Sequence, residues 1–197
     1  MFRFEGNVME PSLLVATIAA SASIIGWIIN HILSGYRDRH NQQLVASLQF
    51  TERQLEELYG PLAFLVMEGR RTFIDLLETL VRNYVFLKDE SLPEDELKLW
   101  LFWIENDFLP RNGRIKELLM TKTHLIEGTK IPASYQSFLD HHNSWKINHL
   151  RWQKEGVEYS WRSKVNWPQE FDENILTTFE RLKTRHAKFL QELSKDD

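Results

Sequence analysis

Ser12-Leu-Leu-Val-Ala-Thr-Ile-Ala-Ala-Ser-Ala-Ser-Ile-Ile-Gly-Trp-Ile-Ile-Asn-His-Ile-Leu33 contains no Asp, Glu, Lys or Arg, and its length governs how the rest of the chain is read. As an α-helix at 1.5 Å per residue, these residues reach about 33 Å, enough for a hydrocarbon core of ~30 Å. The Leu, Ile and Val side chains within it each favour insertion by roughly 0.3–0.6 kcal/mol near the helix centre, together about 3–6 kcal/mol. A transmembrane helix is therefore predicted at 12–33, with 1–11 as a tail before it and 34–197 as the domain after it.

The rival reading is a cleaved secretory signal with Ala20-Ser21-Ala22 as the small-residue site. Against it, Glu5 and Glu10 stand beside a lone Arg3, and the apolar run continues well past the cut. A buried soluble helix would have to pack Ile on nearly every side. Arg37 and Arg39, with Arg53 further on, outweigh Arg3 on the other flank, which predicts a single-pass anchor whose carboxy-terminal domain faces the cytoplasm.

Small and polar residues recur at four-three spacing inside the span: Ser12, Ala16, Ala19, Ser23, Gly26 and Asn30 fall on one helical stripe. In lipid, helices associate through close backbone approach and hydrogen bonds rather than through the hydrophobic effect. The stripe is expected either to mediate self-association or contact with a membrane partner, or simply to dilute an ordinary anchor.

Beyond the span the chain reads as all-α. Leu44, Leu48, Thr51, Leu55, Leu58, Leu62 and Leu65 repeat at four and three, as in a bundle or coiled-coil helix, and Glu52, Arg53, Gln54, Glu56 and Glu57 are expected on its outer face. Gly60-Pro61 should kink that helix or end it. Phe73, Leu77, Leu80, Tyr84 and Leu87 renew an apolar face, and Ser91-Leu92-Pro93-Glu94-Asp95 reads as the next helix start. Leu97 to Ile104 is apolar nearly all round but too short to span a bilayer, so it belongs in the core. Pro110 and Gly113 should bracket a turn. Tyr135, Phe138, Leu139, His142, Trp145, His149 and Trp152 share a helical face, and Pro168 opens a last helix through Phe171, Ile175, Phe179 and Leu182. Between them Val157, Tyr159 and Trp161 alternate, which predicts one short β-hairpin or an ordered aromatic loop.

Composition narrows the function classes. The net charge of −4 provides no basic field for phosphates, so no nucleic-acid partner is expected. The absence of cysteine excludes disulfides, thiolate metal sites and Cys nucleophiles. Asp140-His141-His142 and His149 form the one histidine cluster, but His142 and His149 stand two turns apart and the H-E-x-x-H pattern is missing, so no metal or cofactor is expected. Glu105 and Asp107, with Arg111 or Arg114 nearby, read as helix-end salt bridging rather than an acid-base pair. No phosphate-binding Gly loop or G-x-S-x-G elbow occurs. A surface built from Trp145, Arg151, Trp152, Tyr159, Trp161, Arg162 and Trp167 is a candidate for docking a partner or for lying at headgroups, with ordinary core packing as the alternative.

The segment Gln54-Leu55-Glu56-Glu57-Leu58-Tyr59-Gly60-Pro61-Leu62 and the later Gly156-Val157-Glu158-Tyr159-Ser160-Trp161, behind an amino-terminal span, resemble an uncharacterised bacterial family of single-pass membrane-anchored helical proteins. The resemblance implies a bacterial inner-membrane location and supplies no activity. The leading expectation is a non-enzymatic interaction module, a scaffold, sensor or accessory subunit, that contacts the bilayer and self-associates or recruits another membrane or cytoplasmic protein. The alternatives are a membrane-active effector of a bacterial defence or toxin system, and a hydrolytic enzyme using the His141/His142 region.

Overall fold

A computed structural model of the chain describes residues 11–82, 93–157, 159 and 165–195; the side chains of 11–14 and 16–18 also fall outside the described set. Every regular element in it is helical: α1 (Pro11–Gln54), α2 (Gly60–Thr79), α3 (Glu94–Trp103), α4 (Leu109–Thr121), α5 (Ala133–Glu155) and α6 (Gln169–Leu193), with a short 3₁₀ turn at Thr123–Leu125. The all-α reading holds, and no strand occurs among the described residues. The segment expected as a hairpin or aromatic loop falls largely outside them, at 158 and 160–164.

The leucine repeat packs as its spacing requires. Leu44, Thr51, Leu58 and Leu62 are buried, with Leu48, Leu55 and Leu65 half-buried between them. Gln54 corrects the expected outer face. It is 1% exposed and donates from Nε2 to the Leu125 carbonyl at 2.9 Å, so a buried amide ties α1 to the turn after α4.

Neither proline breaks its helix. A π turn at Leu55–Tyr59 joins α1 to α2, and a second at Ile104–Phe108 joins α3 to α4; Pro61 and Pro110 follow directly, in the first turn of the next helix. Proline lacks an N–H and crowds the carbonyl four residues back. Widening the preceding turn to i→i−5 bonding, from Gly60 N to Leu55 O and from Leu109 N to Ile104 O, accommodates each proline with helical backbone running through it. Gly60 is required there, because a Cβ on it would stand 2.5 Å from the Leu55 oxygen. The turn expected at Pro110 and Gly113 is likewise absent, since both lie inside α4.

Helix α2 stops at Thr79, earlier than the apolar pattern suggests, and Tyr84 and Leu87 lie outside the described residues. Just beyond, Val81 adopts φ +52°, a conformation that strains a β-branched residue, and it is 91% exposed. The next helix starts as expected, at Glu94 after Pro93, with Glu94, Asp95 and Glu96 in a first turn where acids favour the dipole.

Two apolar cores result. The larger unites Leu58, Leu62, Ile115, Phe138, Phe171 and Ile175 from α2, α4, α5, α6 and the first π turn. The smaller unites Leu76, Trp100, Ile104 and Phe108 with half-buried Trp145 and Tyr159. The apolar run at 97–104 therefore contributes Trp100 and Ile104 to a core while leaving Phe102 61% exposed.

The amino-terminal part of α1 stands clear of both cores. Every residue from Ala19 to Leu33 is exposed, and α1 continues unbroken past Ser34 into the bundle. Of the transmembrane span expected at 12–33, the side chains of 12–14 and 16–18 lie outside the described residues; among the described residues no helix is long and apolar enough to cross a membrane. Ser21, Ser23, Asn30 and His31 dilute the apolar run in the described part.

Candidate functional site

Where the two cores meet, a cavity of about 730 Å³ opens between α2, α4, α5 and α6. That volume is in the range of small-molecule sites. Leu65 and Val66 line it from the larger core and Phe108 from the smaller, with Trp145 and Trp167 on further walls. Set among these are Arg70, Arg111, Asn112, His141 and Asp172.

The second π turn positions the central cation. Arg111, one turn on from Asp107, gives Nη1 to the Asp107 carboxylate at 2.5 Å and to Thr72 Oγ1 at 2.9 Å. Its guanidinium lies over the Phe108 ring, 5.2 Å from the centroid, and against bare backbone at Gly69, where a Cβ would be 3.0 Å from Nε. The missing Cβ of Gly69 leaves room for the guanidinium to approach α2. The Arg111 side chain keeps only 7% of its surface exposed, yet Nε and Nη2 have no acceptor among the described residues. Asn112 beside it is 3% exposed, lines the cavity, and its amide has no hydrogen-bond partner among the described residues.

Opposite, on α6, Asp172 accepts from Arg70 Nε and from Trp167 Nε1, both at 2.9 Å. Burial raises its pKa above the usual aspartate value, and the two donors oppose that rise. Arg70 keeps 53% of its side chain exposed, so this pair sits at the mouth of the cleft. His141 gives Nδ1–H to the Val165 carbonyl at 2.6 Å and packs against Trp145 and Trp167. Burial lowers its pKa more than that bond raises it, so the ring is neutral near pH 7.

The other histidines do not converge on the cleft. His142 is 2% exposed and stacks on Phe138, with Nδ1 sealed and without a partner. His149 Nε2 lies 3.3 Å from Glu105, which also accepts from Gln153. Glu105 and Asp107 thus serve different partners, in keeping with the salt-bridging reading. Among the described residues no three His, Asp or Glu side chains gather as a metal site would need.

Of the aromatic candidates, Trp145 packs edge-on against Trp100 at 5.7 Å, Trp152 against Tyr159 at 5.2 Å and Trp167 against Phe138 at 5.6 Å, and all are half-buried. Arg151 is exposed and paired with Glu155, while Trp161 and Arg162 lie outside the described residues. Of the stripe in α1, Ala19, Ser23, Gly26 and Asn30 are exposed, and the side chains of Ser12 and Ala16 lie outside the described set. Compared with family models, with curated proteins and with solved structures, the chain matches none.

Proposed function

We propose that this chain is a membrane-anchored helical interaction module. The amino-terminal part of α1 holds it to a bilayer, and the bundle meets its partner in the cytoplasm. The observation that carries this reading is the unbroken exposure of α1 from Ala19 to Leu33, which includes Ile24, Ile25, Trp27, Ile28, Ile29 and Ile32 at 44–68%. An apolar surface of that extent calls for cover, by lipid or by another chain.

Two details support lipid. Ser23 gives its hydroxyl to the Ala19 carbonyl at 2.9 Å, so that polar group is satisfied within its own helix, as a hydrocarbon solvent demands. Trp27 stacks on His31 at 5.5 Å near the end that leads to Arg37 and Arg39, a grouping suited to headgroup depth. The small residues Ala19, Ser23 and Gly26 would then let two copies approach closely.

Membrane fractionation of the full chain, with protease protection, tests the anchor. Resistance to alkaline carbonate and cleavage only from the cytoplasmic side are expected, and full-length protein washed into the supernatant would refute it. Cross-linking in intact membranes tests assembly: oligomers should form and Gly26→Leu should reduce them.

A further inference from the structure

We propose that the cleft between the two cores is a binding site for a small organic monocarboxylate with a planar apolar body, held by the free edge of Arg111. This goes beyond the anchor reading and stands or falls separately from it. A guanidinium that is 93% buried and has committed only Nη1 keeps Nε–H and Nη2–H side by side, the spacing that matches the two oxygens of a carboxylate. These donors are not among the sealed polar atoms of the structure: they face the cleft, where solvent reaches them and a ligand carboxylate can take the place of water. Asn112, equally buried and equally unmet, adds a third polar contact on the same helix.

Charge decides among anions. Arg70 and Arg111 are the cations on the wall, Asp172 and Glu173 are its anions, and Asp107 already neutralises part of Arg111. No surplus of positive charge exists for a phosphate dianion, whereas a single negative charge can share the one open edge. The rest of the wall is aromatic and aliphatic, with Phe108, Trp145 and Trp167 supplying flat faces for a ring system. The cavity volume of about 730 Å³ leaves room for two fused rings or more.

Isothermal titration of the full chain in detergent micelles, with naphthalene-2-carboxylate as probe, tests this directly. Saturable binding is expected, with the neutral 2-naphthamide and inorganic phosphate each weaker by about tenfold or more. Arg111→Lys keeps the charge but loses the paired edge, so it should weaken the carboxylate by a similar factor. Should that variant misfold, Thr177→Trp fills the cleft from the exposed side of α6 and should abolish binding while leaving the far-ultraviolet spectrum unchanged. The proposal is overturned by no saturable heat with the carboxylate, by equal binding of the amide, by tighter binding of phosphate, or by binding that survives both substitutions.

Discussion

Acidifying the medium from about pH 7 to about pH 4.5 should unfold this bundle progressively, and His142 supplies a measurable part of the slope. Its ring is 2% exposed, stacked on Phe138, and faces Lys116 and Lys146. Burial first, then the two lysines and His141, lower its pKa from 6.5 to about 4. His141 moves the same way because burial dominates there too. For a base with a depressed folded pKa, the unfolded chain takes up the proton first. The stability is therefore complete above the unfolded value, is lost as pH falls below 6.5, and levels off below about 4. Within that window His142 contributes a slope of about 1.4 kcal/mol per pH unit and integrates to roughly 3 kcal/mol. Asp172 acts in the opposite sense, because an acid with a raised folded pKa is protonated in the fold first. Urea unfolding followed by tryptophan fluorescence, at intervals across the window, should show a shallower pH slope for His142→Leu than for the parent chain. Identical slopes would refute the reasoning, because they would mean that His142 carries its proton in the folded state.

Gly60→Ala should destabilise the bundle by about 1–3 kcal/mol, since its Cβ would meet the Leu55 carbonyl at 2.5 Å; an unchanged urea midpoint would show that the π turn can relax. Phe138→Ala removes a side chain with no exposed surface, stacked 4.6 Å from Phe171, and should cost about 3–5 kcal/mol in chemical denaturation. Replacing both members of the pair formed by buried Arg111 and half-buried Asp107, Asp107→Leu with Arg111→Met, should leave the midpoint nearly unchanged, whereas Asp107→Leu alone should lower it by orphaning the cation. The Glu57 carboxyl, hydrogen-bonded by Lys122 and Arg53, should titrate at about 2 by NMR, and a midpoint near its ordinary 4.5 would mean those contacts do not persist in solution.

How far the sequence carried the fold depended on whether a local rule had a rival. The Leu44–Leu65 repeat, the acidic start at Glu94 and the apolar face from Tyr135 to Trp152 were legible because periodicity alone decides them. At Gly60-Pro61 a kink or a change of helix was expected, and the widened turn that joins α1 to α2 there was not legible, because no local pattern distinguishes it from the other answers to proline. Gln54 was assigned to solvent by its polarity, yet its acceptor is a carbonyl 71 residues away, which no local pattern contains. The span expected at 12–33 rests on length and lack of charge in the sequence, and the side chains of 12–14 and 16–18, which carry much of its apolar character, lie outside the described residues.

The cleft left a signal that was present and went unused. From the second π turn into α4 the buried face runs Phe108, Arg111, Asn112, Ile115, Leu119, so two polar residues occupy positions that the helical period assigns to the core. Asp172 does the same between Phe171 and Ile175 on α6, and His141 beside Phe138 and Trp145 on α5. A polar residue in an apolar stripe is costly unless it is met. Three helices breaking the rule toward one point mark a place where the protein accepts that cost together. Asp172 and His141 have partners within the chain, and Arg111 has them on one side only. The remainder, the open edge of Arg111 and the amide of Asn112, is where the chain's own packing leaves hydrogen bonds to be completed by something else.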